Sequence, residues 1–540
     1  MQSAGEFDYV VVGAGSSGCV VATRLSESGK YSVALIEAGG KDDSFWFRAP
    51  LGFGKLYDHK QYNWGYEGES EPHLSGARTT QPRGKVLGGT SSINGMLYMR
   101  GQREDYEHWR QLGCVGWDYE DVLPYFKKAE DNDRGASEFH NVGGPLTVST
   151  CPRHELADAF ISAAEQAGYP RNDDFNGARQ EGFGYNQATI RNGERCSTAM
   201  AYLKPARARG NLSIITNALA TRILFKDGQA TGVEIRRAGK LETVTARREV
   251  ISSGGTFNSP QLLQLSGLGP GALLQQHGIP VLSDLKGVGE NLQDHFAAAI
   301  TYKCSRPVTV NDEYNNLLKR YVMGAQYLLL RTGMMACTAT TSGGCIRTDT
   351  ALDAPDVRLV LQLWSRSAGM RSRDGFGLYP FSSFGVCMNI WHPDNRGHVR
   401  IKSPDPATAP EMLFNFFASE RDRNTAVAGL RAARKVMSQP AISKYVVEEH
   451  TPGPSCSSDT DWIDFCHQHG RSNHHPTSTC KMGVDDMAVV DPRLRVRGVG
   501  RLRVADCSIM PRIVAGNTNA PAIMIGEKCA AMMLEDAQAS

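Results

Sequence analysis

The sequence predicts an α/β chain that opens on a Rossmann-like dinucleotide-binding unit. Three features of its first forty residues carry that expectation. A short apolar run, Phe7 to Val12, passes directly into Gly13-Ala14-Gly15-Ser16-Ser17-Gly18. A helical-looking stretch follows, with Cys19, Val20, Ala22 and Leu25 apolar, and a second strand-like run, Ser32 to Ile36, is closed by Glu37. Strand, glycine turn, helix, strand and acid is the order that grips an adenine dinucleotide.

Each part has a task. Gly13 allows the tight turn off the strand, Gly15 lets a pyrophosphate reach the backbone, and Gly18 lets the helix pack closely on the sheet. The helix start, with Ser16 and Ser17 in its first turn, offers unpaired N–H groups and a positive dipole end to phosphates. Glu37 stands where a carboxylate accepts ribose hydroxyls, and it would repel a 2′-phosphate. The motif does not choose between FAD and NAD.

At 540 residues the chain is long enough for two or more domains. Its formal charge of +2 argues against nucleic acid as a partner. The 13 cysteines are scattered and odd in number, which fits a reducing, cytoplasmic setting. A first strand at Phe7 predicts no signal peptide. The apolar stretch Tyr321 to Leu330 is interrupted by Gly324 and Gln326 and falls short of a membrane span. Peripheral contact with an inner membrane stays open, and the oligomeric state is not readable.

Residues 39–82 carry many aromatics without a sustained period, as an ordered excursion covering a cofactor or an interface would. Next comes Pro82-Arg83-Gly84-Lys85-Val86-Leu87-Gly88-Gly89-Thr90-Ser91-Ser92-Ile93-Asn94-Gly95-Met96. Its paired glycines open a close backbone approach, and Thr90, Ser91 and Ser92 can cap a helix, giving a second nest for anionic groups. Joined to the first motif, this run favours the larger cofactor, FAD.

Residues 102–130 read as one or two helices, 155–167 as a helix, and 171–187 as a Gly/Asn-rich loop. Ser213 to Thr216, Ala220 to Phe225 and Gly232 to Ile235 read as strands of an insert that completes the nucleotide-binding sheet, with Ala220 at the cofactor. Glu249 to Ser253 is a short strand ending in Gly254-Gly255, and Thr256 to Leu265 has helical spacing. In Gly287-Val288-Gly289-Glu290-Asn291-Leu292-Gln293-Asp294-His295 the last two residues invite an acid/base reading. A structural or cofactor-facing role is preferred for them, because adjacent side chains rarely point the same way.

Taken together, Gly13 to Gly18, Gly88 to Gly101, Gly254 to Pro270 and Gly287 to His295 resemble the glucose-methanol-choline (GMC) family of FAD-dependent oxidoreductases, nearest its choline and aliphatic-alcohol dehydrogenase branch. The resemblance implies an α/β FAD-binding Rossmann-like domain assembled from discontinuous segments (1–150, 211–300 and 481–540). It also implies an α+β substrate domain with an antiparallel sheet (151–210 and 301–480). Some members attach the flavin to a histidine; this chain has Ile93 there, so non-covalent FAD is expected.

Val357 to Leu363, Phe384 to Ile390 and His398 to Ile401 read as strands of the substrate sheet, and 420–438 as a helix. No carboxylate cluster or cation cage announces a charged substrate. The densest chemistry is Cys466-His467-Gln468-His469, then Asn473-His474-His475-Pro476-Thr477-Ser478-Thr479-Cys480. Histidine and cysteine together invite a zinc reading, but no spacing matches the usual structural pairs, so no metal is expected. The alternative is a catalytic histidine: alcohol oxidation needs a proton acceptor, which a neutral imidazole supplies, while flavin N5 accepts the hydride.

The resemblance places that base on His475, with His474 turned away, and a second active-site residue on Asn517, whose amide can hold the substrate oxygen. It also puts Asp506 and Asn519 near the flavin, and the helix from Ala520 onward faces the flavin's pyrimidine edge. The expected activity is oxidation of a primary, uncharged or aliphatic or polyether-type alcohol to the aldehyde, with electrons passed to a quinone-like acceptor. Choline dehydrogenation, O2-using alcohol oxidation, and an FAD-containing lyase or non-catalytic flavoprotein are the rivals.

Overall fold

The computed structural model describes residues 2–366 and 377–539. Two sheets organise them. The first runs Leu212–Ile215, Val33–Ile36, Gln2–Val12, Lys240–Ser252, Gln229–Arg237, Ala218–Lys226, with Leu502–Val504 paired beside Lys240–Ser252. Its centre is parallel, and Val33–Ile36 is buried along its whole length, as strands covered on both faces must be. Lys240–Ser252 serves two partners on one side. Its first half pairs antiparallel with Gln229–Arg237, and its last three residues pair parallel with Leu502–Val504. In that way the end of the chain enters the same sheet as its beginning.

The first helix, Ser16–Leu25, lies against the closing helix, Asn519–Ala539, which is buried almost all round from Ala520 to Ala530. Glu527 is fully buried among these elements. Its carboxylate accepts from both Nε and Nη2 of Arg24 at 2.8–3.0 Å and from the Tyr202 hydroxyl at 2.9 Å, with Lys128 at 3.3 Å.

The second sheet is antiparallel throughout and runs Val446–Thr451, Phe296–Cys304, Ser383–Ile390, Val357–Gln362, Ser342–Ile346, Gly182–Tyr185, with Arg471–Ser472 also on Phe296–Cys304. Alternation sorts its side chains. Ala298, Ile300, Leu359, Leu361, Val386 and Met388 enter a core under the helix Glu420–Met437, while Ala297, Ala299, Val360 and Cys387 cover the other face.

Several expectations need correcting. The first strand starts at Gln2 because residues 2–7 pair with Lys240–Ser252, whose own length is 13 residues and not the short run 249–253. The loop expected over 171–187 contains Gly182–Tyr185, an edge strand of the second sheet; its glycines fit against Asn172, which side chains there would strike. Phe296–Cys304 starts the substrate sheet before residue 301, so the boundary expected at 300 falls inside a strand. Gly397–Arg400 joins a separate small sheet with Glu290–Leu292 and Glu411–Leu413. No helix among the described residues is long and apolar enough to cross a membrane.

Replacing Glu527 by Ala leaves the largely buried Arg24 facing a void, while Lys128 is half exposed. Such a loss of one partner costs roughly 3–5 kcal/mol. Urea unfolding followed by flavin fluorescence is expected to show an unfolding free energy lowered by that amount, and an unchanged midpoint would show that the clamp is not structural.

Candidate functional site

A cavity of about 1760 Å³ runs between the two sheets. Its lining includes Gly13, Gly15, Ser16, Ser17, Glu37 and Ala220, then Gly89, Thr90, Asn94, Gly95, Met96 and Arg83, and also Asp506, Asn519, His475 and Asn517. Segments more than 400 residues apart in sequence thus share one elongated space.

The glycine-lined part is a cradle. No heavy atom lies within 4 Å of where a Cβ on Gly15 would sit, so its backbone is open to the cavity. Gly89, at φ +51°, approaches so closely that a Cβ there would stand 2.7 Å from the Gly15 Cα. The two glycine runs therefore form one wall. The Ser16 hydroxyl donates to Oδ1 of Asn519 at 2.8 Å, tying together the starts of the first and closing helices, both of which line the cavity. Two helix N-termini make that wall electropositive.

Glu37 has a second task that the sequence does not show. Its carboxylate accepts from the backbone N–H groups of Ala14 (2.9 Å) and Gly39 (2.8 Å), bracing the glycine turn, and burial raises its pKa to about 7. Asp506 is likewise committed to structure, accepting from Gly255 N–H, the Ser259 hydroxyl and Ser508 N–H. Four residues expected at the cofactor stand behind the wall. Gly18 packs on the Gly13 carbonyl, and Gly88 makes the left-handed turn. Ser91 donates to the Gly88 carbonyl, and Ala520 is buried in the first core. Ile93 is enclosed with Phe47, Leu56 and Val86.

Beside Asn517 three histidines meet. His295 Nε2 lies 3.0 Å from the Val514 carbonyl, which only accepts, so that nitrogen carries the hydrogen. Burial pushes the pKa of His295 down to about 3, so the ring is neutral and its Nδ1 is a lone pair. That Nδ1 faces His475 Nδ1 at 3.0 Å, so the hydrogen between them belongs to His475. Burial, then His295 and His474, hold His475 well below the ordinary 6.5. A neutral His475 with Nδ1–H has its lone pair on Nε2, which lies 2.9 Å from the Asn517 amide nitrogen.

The backbone of His475 is fixed as well. Asp294 accepts its N–H at 2.8 Å and also takes the Ser472 hydroxyl; burial raises the Asp294 pKa to about 7. The Arg83 guanidinium donates to the His474 carbonyl at 2.7 Å, with its Nε buried and unpartnered. His474, expected to turn away, also lines the cavity, edge-on to Tyr57, and makes no hydrogen bond to His475. Cys466 and Cys480 lie in different cores.

The chain carries the GMC oxidoreductase family models over residues 7–297 and 393–526. It belongs to the GMC oxidoreductases. It is 41% identical over 536 residues to an oxygen-dependent choline dehydrogenase of Vibrio vulnificus, covering 98% of this chain and 94% of that one. To the protein of the same name from Yersinia pseudotuberculosis it is 43% identical over 538 residues, with 97% and 93% covered. Among solved structures it resembles a pyridoxine 4-oxidase from Mesorbium loti (TM-score 0.89, 30% identity, 98% and 99% covered). It also resembles a formate oxidase from Aspergillus oryzae (TM-score 0.91, 25% identity, both chains fully covered).

This GMC oxidoreductase is an FAD-dependent enzyme of the alcohol-dehydrogenase type, and the cavity fits that cofactor. Its length, the open Gly15 backbone and the two converging helix starts suit a dinucleotide whose reactive ring reaches His475. Sequence reasoning placed His475 and Asn517 on the site but left Asp294 and His295 as structural or cofactor-facing. They do point apart, one to the His475 backbone and one to its ring. The bridge between residues 293 and 477 and the pairing of Phe296 with Ser472, both invisible in sequence, bring them there.

Two outcomes follow. His475 stays neutral to well below 6.5, so its base form is lost only when pH falls through that lowered value. With only Asp294, raised to about 7, titrating beside it, anaerobic flavin reduction is expected to change modestly through pH 7; a rate that rises tenfold per unit through 6.5 would contradict the assignment. His295→Ala removes the acceptor that fixes the His475 hydrogen. With FAD retained, it is expected to slow reduction on the order of 100-fold and move the limiting pKa, which a purely structural loss would not do.

Proposed function

We propose that the protein oxidises a primary, uncharged alcohol of aliphatic or polyether type to the aldehyde, with His475 as base and Asn517 holding the substrate oxygen. The observation that carries this reading is the 2.9 Å hydrogen bond from the Asn517 amide to the Nε2 lone pair of His475, which holds both groups toward one point of the cavity. An alcohol that displaces this bond accepts from the amide at its oxygen while its own hydrogen donates to Nε2. The proton then passes to His475 without any second base. FAD, held non-covalently, supplies the hydride acceptor when bound. His295 holds the ring while it becomes charged, and Asp294 holds the His475 backbone.

Charge favours an uncharged substrate over choline, the substrate named for the two bacterial relatives. Arg83, Arg366 and Arg471 line the cavity and, after burial, all act to keep His474 neutral. Burial and then Arg471 lower Arg366, while Tyr57 and Asp58 act the other way. A quaternary ammonium entering beside these three arginines meets repulsion. Of the lining residues Ala299, Thr301, Gln362 and Trp364, the indole ring alone attracts a cation. Transfer of electrons to a quinone-like acceptor rests on the resemblance to the dehydrogenase branch. The relatives' names make O2 the second reading.

An anaerobic panel tests this. Primary alcohols are expected to bleach the oxidised-flavin band faster than choline does, and preferential bleaching by choline would overturn the substrate reading. His475→Ala is expected to keep FAD and reduce on the order of 100-fold more slowly or worse. Reoxidation by a soluble quinone is expected to outpace that by O2; stoichiometric peroxide without added acceptor would make the protein an oxidase.

A further inference from the structure

The helix Leu317–Leu330 presents its apolar side to solvent. Met323 and Tyr327 pack inward, whereas Leu317, Leu318, Tyr321, Val322, Leu328 and Leu329 are 59–81% exposed. At about 100° per residue, those six fall within an arc of roughly 140° that lies opposite Met323 and Tyr327. Lys319 and Arg320 fall about 60° outside the two edges of the arc, the exposed Leu330 lies beyond Lys319, and Arg331 follows the last turn. The helix contains no Asp or Glu. An apolar arc edged by cations is the pattern of a helix that lies in a membrane interface.

The surroundings extend the patch. Phe45 and Trp46 are exposed, and the Phe45 ring meets Tyr327 edge-on at 5.9 Å, so the apolar surface continues off the helix. The next turn, Pro50–Gly52, packs on Met334–Ala336 just beyond the helix, and Leu51, Phe53 and Lys55 line the FAD cavity. Arg320 stacks on Tyr314 at 5.3 Å, while Arg331 stacks on Tyr327 at 4.8 Å and pairs with Glu194 at 3.4 Å, so Lys319 and Arg320 carry the positive charge of the rim.

We infer that this helix docks the enzyme on an anionic lipid bilayer, with its apolar arc in the acyl boundary, its cations among the headgroups, and the cavity wall of residues 51–55 next to the membrane. A second copy of the chain fits less well. The ridge is about 21 Å long and about 10 Å wide, far short of the roughly 800 Å² that each partner gives to a stable dimer. The high exposure along the whole arc also means that no neighbouring element forms a groove for a partner's helix.

Vesicle flotation of the FAD-loaded enzyme tests the inference, using phosphatidylcholine alone and phosphatidylcholine mixed with phosphatidylglycerol. The wild type is expected to float with the anionic vesicles. Leu318→Glu with Leu329→Glu is expected to weaken binding on the order of 10-fold or more, and Lys319→Glu with Arg320→Glu to remove the preference for the anionic lipid. Both variants should keep the wild-type rate of flavin reduction by a soluble alcohol, since the helix is outside the reacting site. Absence of flotation, or flotation unaffected by either pair, overturns the inference. So does a wild-type dimer that the leucine pair converts to monomer in sedimentation velocity without any lipid binding, which would assign the face to a second copy.

Discussion

The chemistry proposed for this protein depends on a neutral imidazole held in one tautomer. As the proposed base, His475 needs its lone pair toward the cavity, and a free imidazole exchanges freely between its two neutral forms. The protein removes that freedom through a chain of partners whose first member has no choice. The Val514 carbonyl can only accept, so His295 must donate to it, and His475 must in turn donate to His295. Asp294 fixes the backbone from the other side. Burial lowers both rings, so neither spends a proton before substrate arrives.

That arrangement also explains why the fold needs two sheets. Gly13 to Gly18 and Gly88 to Gly89 bring two backbones together where side chains would collide, and the cavity they open leads away from the first sheet. The antiparallel sheet lines it with small residues on Phe296–Cys304, the strand that begins directly after His295. The strand that presents Ala299 to the cavity and the histidine paired with His475 are therefore set by one register. A one-residue slip would bury Thr301 in the core and turn Ile300 into the cavity.

Much of this was legible in the residues. The strand–turn–helix from Phe7 to Leu25 and the strand-like runs Ala220 to Phe225, Gly232 to Ile235 and Phe384 to Ile390 read directly, because local period and glycine placement decide them. His475 and Asn517 came from a family resemblance, and the structure brings them to 2.9 Å. Other features depend on contacts between distant segments. Glu37 braces its own turn because burial leaves its carboxylate facing two backbone N–H groups. Gly182–Tyr185 reads as loop until Ser342–Ile346 lies beside it, and Asp294 and His295 gain their tasks from a bridge to residue 477. Gly18, Gly88, Ser91 and Ala520 match a motif yet support the cavity wall from behind, since a motif records spacing and not which way a residue faces.

The most direct test of the central claim is chemical rescue. His475→Ala enzyme loaded with FAD is mixed anaerobically with a reducing alcohol over a range of added imidazole, and flavin bleaching is followed. The account predicts that reduction recovers in proportion to neutral imidazole, because the vacated space beside Asn517 lacks only a base. A variant that binds FAD and reduces at the wild-type rate without imidazole would contradict it, as would one that stays slow at every imidazole concentration.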